Sequence, residues 1–280
     1  MPAIAFTLPP DAEQVPATPF LKWAGGKTSL LPELLKHVPR PLRRYHEPFV
    51  GGGALFFAVA PRRAVLSDAN GELIHCWRQV RDDVNGVLAA LSVHVYDRAR
   101  FEAVRALDPL RLPAAERAAR FIYLNKTCFN GLWRVNRAGR FNVPFGRYKN
   151  PTFHDPGLLL RASRVLRAVQ IHRAPFEIAL QRASAGEFVY LDPPYDPVSE
   201  TASFTSYTRN AFAWADQERL AAECAALDRR GVRFLLSNSA TPRIRALYRG
   251  FEQRVVSAPR HISCKGERRG RVDELLVFNA

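Results

Sequence analysis

With 280 residues, 47% of them hydrophobic, the chain can bury a genuine core as one large α/β domain or as a core carrying an insertion. Lys and Arg outnumber Asp and Glu by 41 to 26, a formal charge of +15, which suits a polyanionic partner if the excess is clustered. The four cysteines have no zinc spacing, the longest apolar run (Gly51 to Ala60) cannot span a bilayer and no basic-then-apolar signal opens the chain, so a soluble, cytoplasmic protein with no metal, no membrane and no obligate protein partner is expected.

Residues 1–18 are rich in Pro and Ala without apolar periodicity and predict a loose leader. Leu30, Leu31, Leu34 and Leu35 predict a helix over Thr28 to His37, broken at Pro39-Arg40-Pro41. A strand at Tyr45 to Phe49, the turn Gly51-Gly52-Gly53, an apolar helix ending near Ala60 and a strand at Ala64 to Ser67, closed by Asp68, form a β-turn-α-β unit. From Gly71 to His154 the pattern turns helical, for example at Ala114 to Leu124, and then basic and aromatic around a hairpin turn at Asn136-Arg137-Ala138-Gly139. Alternation resumes with strands at Val169 to His172, Glu187 to Leu191, Val232 to Ser237, Gln253 to Val256 and Val272 to Phe278, and helices such as Asp216 to Asp228. The expected fold is a doubly wound α/β core interrupted once by a mostly helical insertion.

The sharpest motif is the apolar strand Phe188 to Leu191 running into Asp192-Pro193-Pro194-Tyr195. In an open α/β sheet ligands bind at the carboxyl ends of strands, so this turn is placed to do chemistry, although a plain strand-ending turn has similar residues. An exocyclic amine on an aromatic ring is a poor nucleophile because its lone pair is delocalised. The Asp192 carboxylate and a backbone carbonyl of the rigid Pro193-Pro194 segment could localise that pair, and Tyr195 could stack the base. The second motif is Glu47-Pro48-Phe49-Val50-Gly51-Gly52-Gly53, with Asp68 following Gly51 by 17 residues, an arrangement that lets a nucleotide approach the backbone while an acid holds ribose hydroxyls. Phe56 stands where a dinucleotide fingerprint has its third glycine. Trp23-Ala24-Gly25-Gly26-Lys27-Thr28 ends like a phosphate loop, but position 21 is Leu rather than Gly; His46-Glu47 likewise opens no zinc motif, because Val50 replaces its second His. Between Asn125 and Asn150, Lys126, Arg134, Arg137, Arg140, Arg147 and Lys149 are interleaved with Phe129, Trp133, Phe141, Phe145 and Tyr148, without an acid. Phosphate contact explains such a segment better than a solvated basic loop, since five aromatics are costly to leave in water. Arg260 to Arg271 forms a second basic loop with Lys265, Arg268 and Arg269.

Together these residues resemble the Dam-like (D12 class) DNA adenine-N6 methyltransferases from Phe20 to Phe278. The segments that carry the resemblance are Phe20 to Lys27, Glu47 to Gly53, Asn130-Gly131-Leu132, Phe141 to Tyr148, Asp192 to Tyr195, Ser237-Asn238 and Val272 to Leu276. The resemblance implies a Rossmann-like methyltransferase core and transfer of a methyl group from S-adenosylmethionine to N6 of a flipped adenine in double-stranded DNA, with GATC as the candidate target. It implies a catalytic domain over 19–70 and 155–280 and a target-recognition insertion over 71–154. Catalysis would fall to Asp192, Pro193, Pro194 and Tyr195, and cofactor contact to Trp23, Lys27, Phe49, Gly51, Gly53, Asp68 and Asp192. DNA contact would fall to Lys22, Asn130, Leu132, Arg134, Pro144, Arg147 and Tyr148, with Arg134 reading guanine. The chain departs from the family pattern at Thr127 and Cys128, and at Phe129, which keeps a stacking face but loses a phenolic hydroxyl.

Overall fold

A computed structural model of the chain describes residues 6–8, 15–196, 212–259 and 271–279. The basic stretch 260–270 and most of the expected leader lie outside these residues. Two compact units divide the chain: Met1–Gly26, Gly51–Ala60 and Asn70–Ile171 form a mainly helical one, and Lys27–Val50, Pro61–Ala69 and His172–Ala280 form the other, which holds most of the sheet.

In chain order the regular elements are α1 (Leu31–Leu34), β1 (Tyr45–Glu47), α2 (Ala54–Val59), β2 (Ala64–Asp68), α3 (Gly71–Asp82), α4 (Val84–Ser92), α5 (Arg98–Ala106), α6 (Ala114–Thr127), α7 (Pro156–Leu166), β3 (Val169–Arg173), α8 (Phe176–Leu180), β4 (Phe188–Leu191), α9 (Trp214–Arg229), β5 (Arg233–Ser239), α10 (Pro242–Leu247), β6 (Glu252–Pro259) and β7 (Arg271–Phe278). The helix expected over Thr28 to His37 is instead α1 flanked by 3₁₀ turns at Thr28–Leu30 and Leu35–His37. Pro32 lacks the N–H that would continue a helix begun at Thr28, so the α-helix restarts at Leu31 with the proline in its first turn.

Within the helical unit, acidic or amide side chains cap four helices: Asn70 accepts from the amides of Glu72 and Leu73, and Asp83, Asp97 and Asp155 each accept from a first-turn amide of α4, α5 and α7. Each such cap stabilises its helix by about 1 kcal/mol. The central α6 is buried almost all round and packs on α3, α4 and α5. Its Arg120, 4% exposed, donates to the carbonyls of Val104 and Arg105 and so satisfies the open end of α5. From α3, Arg78 and Arg81 donate to the carbonyls of Ile171 and Val169, covering hydrogen-bonding groups of the edge strand β3.

The seven strands run in the order β3-β2-β1-β4-β5-β7-β6. The pairs β1/β2, β1/β4 and β4/β5 are parallel, while β7 is antiparallel to both of its neighbours. This is the expected doubly wound α/β core. The chain leaves β1 towards β2 and returns on its other side as β4, so the switch point lies between β1 and β4, where such sheets open a ligand crevice at the carboxyl ends of the strands. Beneath that rim, Val189, Leu191, Leu220, Leu236, Tyr248 and Leu275 belong to one buried cluster that fixes β4, β5, β7 and α9 against each other.

Candidate active site

Four parallel strands of the sheet unit end in polar residues: Glu47 on β1, Asp68 on β2, Asp192 immediately after β4 and Ser239 on β5. The register Leu191↔Leu236 sets Asp192 beside Ser237. The Ser237 hydroxyl donates to Asp192 Oδ1 at 3.0 Å and lies 3.1 Å from the Tyr190 hydroxyl. Lys27 Nζ also meets Oδ1, at 2.9 Å, and its side chain is only 5% exposed against 21% for Asp192. Both partners share one carboxylate oxygen, and among the described residues none takes Oδ2. Burial raises the Asp192 carboxyl above its ordinary range, while Lys27 and Ser237 draw it back.

The following turn is equally well held. Lys27 Nζ sits 4.6 Å from the centre of the Tyr195 ring, and the Tyr195 hydroxyl donates to Glu274 on β7. Burial, with Asp192 and Glu274 nearby, pushes the Tyr195 phenol well up, so it stays neutral. The Pro194 carbonyl accepts from Gln217 Nε2 at 2.9 Å. Asp196, buried, is bidentate with Arg243, whose Nε lies 2.6 Å from Oδ2. Phe49, which follows β1, packs 5.6 Å from Phe176 and 5.8 Å from Phe212, making an aromatic wall. The backbone of Asp68 accepts from Ala174 N, so its strand end is tied to the chain beyond β3.

In the helical unit, Trp23 lies against the glycine turn. A Cβ on Gly51, whose φ is +46°, would come within 2.5 Å of Trp23 Cδ1, and Gly53 opens α2 at φ +66°. Asn125, fully buried, accepts from the Lys22 amide and donates to the carbonyls of Lys22 and Gly131, which draws the N-terminal motif to the end of α6. Gly131 sits at φ +63°, and a Cβ there would meet Lys22 Cβ at 2.4 Å. Lys22 Nζ lies 3.9 Å from the centre of the Tyr148 ring, and burial lowers the lysine and raises the phenol. Asn130, at φ +54°, Pro144, Arg147 and Tyr148 border a groove of about 460 Å³ with Arg98 and Phe129. Arg134 is exposed and donates to Asn142 Oδ1 across the expected hairpin, whose turn is closed by Asn136 and Gly139, while Leu132 is half-buried at its base.

The aromatics of this segment are kept from water mostly by the chain itself. Trp133 and Phe141 are buried, Trp133 stacked on Phe121 and Phe141 tilted against Trp133, and Phe145 packs on Tyr96 and Phe101. Phe129, at 43% exposure, is the large ring left outward. The aromatics therefore anchor the basic loop, and its charge faces solvent because alternate residues point inward.

The sequence model of the family described as D12 class N6 adenine-specific DNA methyltransferase matches residues 23–262. The chain belongs to that family. Among relatives of this D12 methyltransferase, the type II methyltransferase M1.LlaDCHI of Lactococcus lactis subsp. cremoris is 42% identical over 93% of this chain and 95% of its own. The type II methyltransferase M.MjaIII of Methanocaldococcus jannaschii is 41% identical over 93% and 98%, and the DNA adenine methylase of Escherichia coli K12 is 38% identical over 92% and 94%. The D12 methyltransferase acts on DNA, transfers a methyl group to adenine N6 and takes it from S-adenosylmethionine. Among its described residues no cluster of three or more His, Cys, Asp or Glu could hold a metal, and no helix is long and apolar enough to cross a membrane.

Sequence reasoning did not single out Gln217, Phe176 or Phe212, and it held Glu274 only as part of the segment Val272 to Leu276, without a role. Gln217 reaches the site from α9, Phe176 from α8 and Phe212 from the chain just before α9, while the pairing of β5 with β7 carries Glu274.

Proposed function

We propose that this methyltransferase acts on an adenine flipped out of double-stranded DNA, with Asp192, Pro193, Pro194 and Tyr195 as its catalytic turn. The single observation that carries the assignment is the half-filled carboxylate: Lys27 and Ser237 occupy Oδ1 of Asp192 at the sheet's switch point. Oδ2 is then the acceptor for one N6 hydrogen. Gln217 takes the Pro194 carbonyl, which leaves the Pro193 carbonyl for the other. Two fixed acceptors turn the nitrogen lone pair out of the ring plane, and they do so without reorganising at the moment of transfer. Tyr195 offers its ring to the base, since its hydroxyl is tied to Glu274.

When bound, S-adenosylmethionine supplies an electrophilic methyl group on a sulfonium. Its contacts are Trp23, Lys27, Phe49, Gly51, Gly53, Asp68 and Asp192. The residues suit such a ligand: Phe49, Phe176 and Phe212 provide apolar rings for an adenine, and Asp68 ends its strand as a ribose acceptor. Asp192 orients the amine and does not need to act as a strong base, because the proton becomes acidic once the methyl group has transferred. DNA is held by Lys22, Asn130, Leu132, Arg134, Pro144, Arg147 and Tyr148 within the recognition segment 71–154, with 19–70 and 155–280 as the catalytic domain and GATC as the candidate target. Exposed Arg134 is the residue suited to read guanine in the major groove.

Asp192→Ala tests the assignment. The variant should bind duplex DNA as wild type does and transfer no methyl group in a single-turnover assay; transfer at the wild-type rate would refute the role of Asp192.

A further inference from the structure

The turn that ends in Tyr195 is gripped from behind by two buried amides, Gln217 on α9 (2% exposed) and Asn238 on β5 (0% exposed). Asn238 Oδ1 accepts from the backbone amides of Asp196 at 3.2 Å and of Ser239 at 2.8 Å. Backbone N–H groups can only donate, so the oxygen of Asn238 must face them and its Nδ2 must face Gln217 Oε1, 3.0 Å away. That contact in turn leaves Gln217 only its Nε2 to present to the Pro194 carbonyl, at 2.9 Å. The polarity of the chain is thus set by the main chain, and no member can flip without burying unpaired groups. Its two ends fall on the residues immediately before and after Tyr195.

We propose that Gln217 and Asn238 act as a positioning clamp for methyl transfer, holding the backbone on both sides of Tyr195 so that the stacking ring and the Pro193 carbonyl stay in register with Asp192. This rests on the function proposed above. Neither amide touches the reacting atoms. With one lone pair of the Pro194 carbonyl engaged by Gln217, that carbonyl is a weaker competitor for the incoming amine than that of Pro193, so the clamp both places and favours the second acceptor.

The informative substitution is Gln217→Glu, which keeps the volume and the oxygen facing Asn238 but, when ionised, sets a carboxylate against the Pro194 carbonyl. A protonated carboxyl regains an O–H donor, so the variant's pH dependence should run opposite to that of a simple structural lesion. With a plasmid from a methylation-deficient host as DNA, single-turnover transfer should be slowed about 10- to 100-fold at neutral and alkaline pH. S-adenosylmethionine affinity should stay within about twofold, a change worth less than the 1.4 kcal/mol of a tenfold effect. As pH falls, the deficit relative to wild type should shrink. Asn238→Asp, which when ionised cannot donate to Gln217, should show a similar rate loss at neutral and alkaline pH and serves if the first variant does not fold. A wild-type rate across the pH range in a folded variant, or an equal loss at every pH with weakened cofactor binding, would overturn the clamp. If wild type itself forms no N6-methyladenine, it is the function proposed above that fails.

Discussion

Replacing Lys27 with Met removes the cation from Oδ1 of Asp192, 2.9 Å away, at a position where the lysine is only 5% exposed. Burial already raises the Asp192 carboxyl, and Lys27 is the strongest of the groups that draw it back. An opposite charge at this range lowers a carboxyl by about 1–3 pH units, each worth about 1.36 kcal/mol, so its loss should cost the ionised state roughly 1.4–4 kcal/mol. Ser237 still donates to Oδ1, which argues for the lower half of that range. Because the ionised carboxylate is the acceptor for the amine, the acid limb of the rate profile should move to higher pH by about 1–2 units. Single-turnover methylation at saturating cofactor and DNA isolates this limb from any change in cofactor affinity. Stability carries the same sign. A carboxyl raised in the native state makes that state bind the extra proton, so stability falls as pH climbs from the unfolded value of about 3.9 to the native one. Lys27→Met extends that window upward, and its melting temperature should decline over a wider pH range than that of wild type, with the gap closing in acid. An unmoved acid limb in the folded variant would refute the coupling of Lys27 to Asp192.

Gly51→Ala places a Cβ within 2.5 Å of Trp23 at φ +46°, a strain of about 1–3 kcal/mol, and calorimetric titration should show weaker S-adenosylmethionine binding. Gly131→Ala meets Lys22 at 2.4 Å, also at positive φ, and should weaken duplex DNA binding while leaving cofactor affinity intact. Arg134→Ala should lower discrimination at one base pair by about 1–3 kcal/mol, read from methylation rates on the preferred site and its single-base variants. An equal loss on all of these sites would mean that the residue contacts phosphate instead.

The strongest sequence signals were those in which chemistry and local structure coincide. Asp192 at the end of an apolar strand, and glycines followed by an acid at the end of the next strand, could be placed on a sheet rim without coordinates. Strand bounds were read to within a few residues, because β-branched and aromatic runs such as Phe188 to Leu191 are short, buried and bracketed by turn residues. What could not be read was pairing. Ser237 and Asn238 were visible as a motif, yet their partners Asp192 and Gln217 are 45 and 21 residues away. The insertion of β7 between β5 and β6 left no local trace, although it is what carries Glu274 to Tyr195. Aromatic side chains misled for a related reason: Trp133 and Phe141 lie in a basic, turn-rich stretch, and only the position of Phe121 on α6 shows that they face inward.

The most direct measurement is to incubate the protein with unmethylated duplex DNA and S-adenosylmethionine labelled on its methyl group, digest the DNA to nucleosides and identify the labelled base. The geometry around Asp192 predicts label in N6-methyladenine alone, and none when Asp192 is replaced by Ala. Label in a cytosine derivative, or no labelled base from folded protein that binds the cofactor, would contradict it.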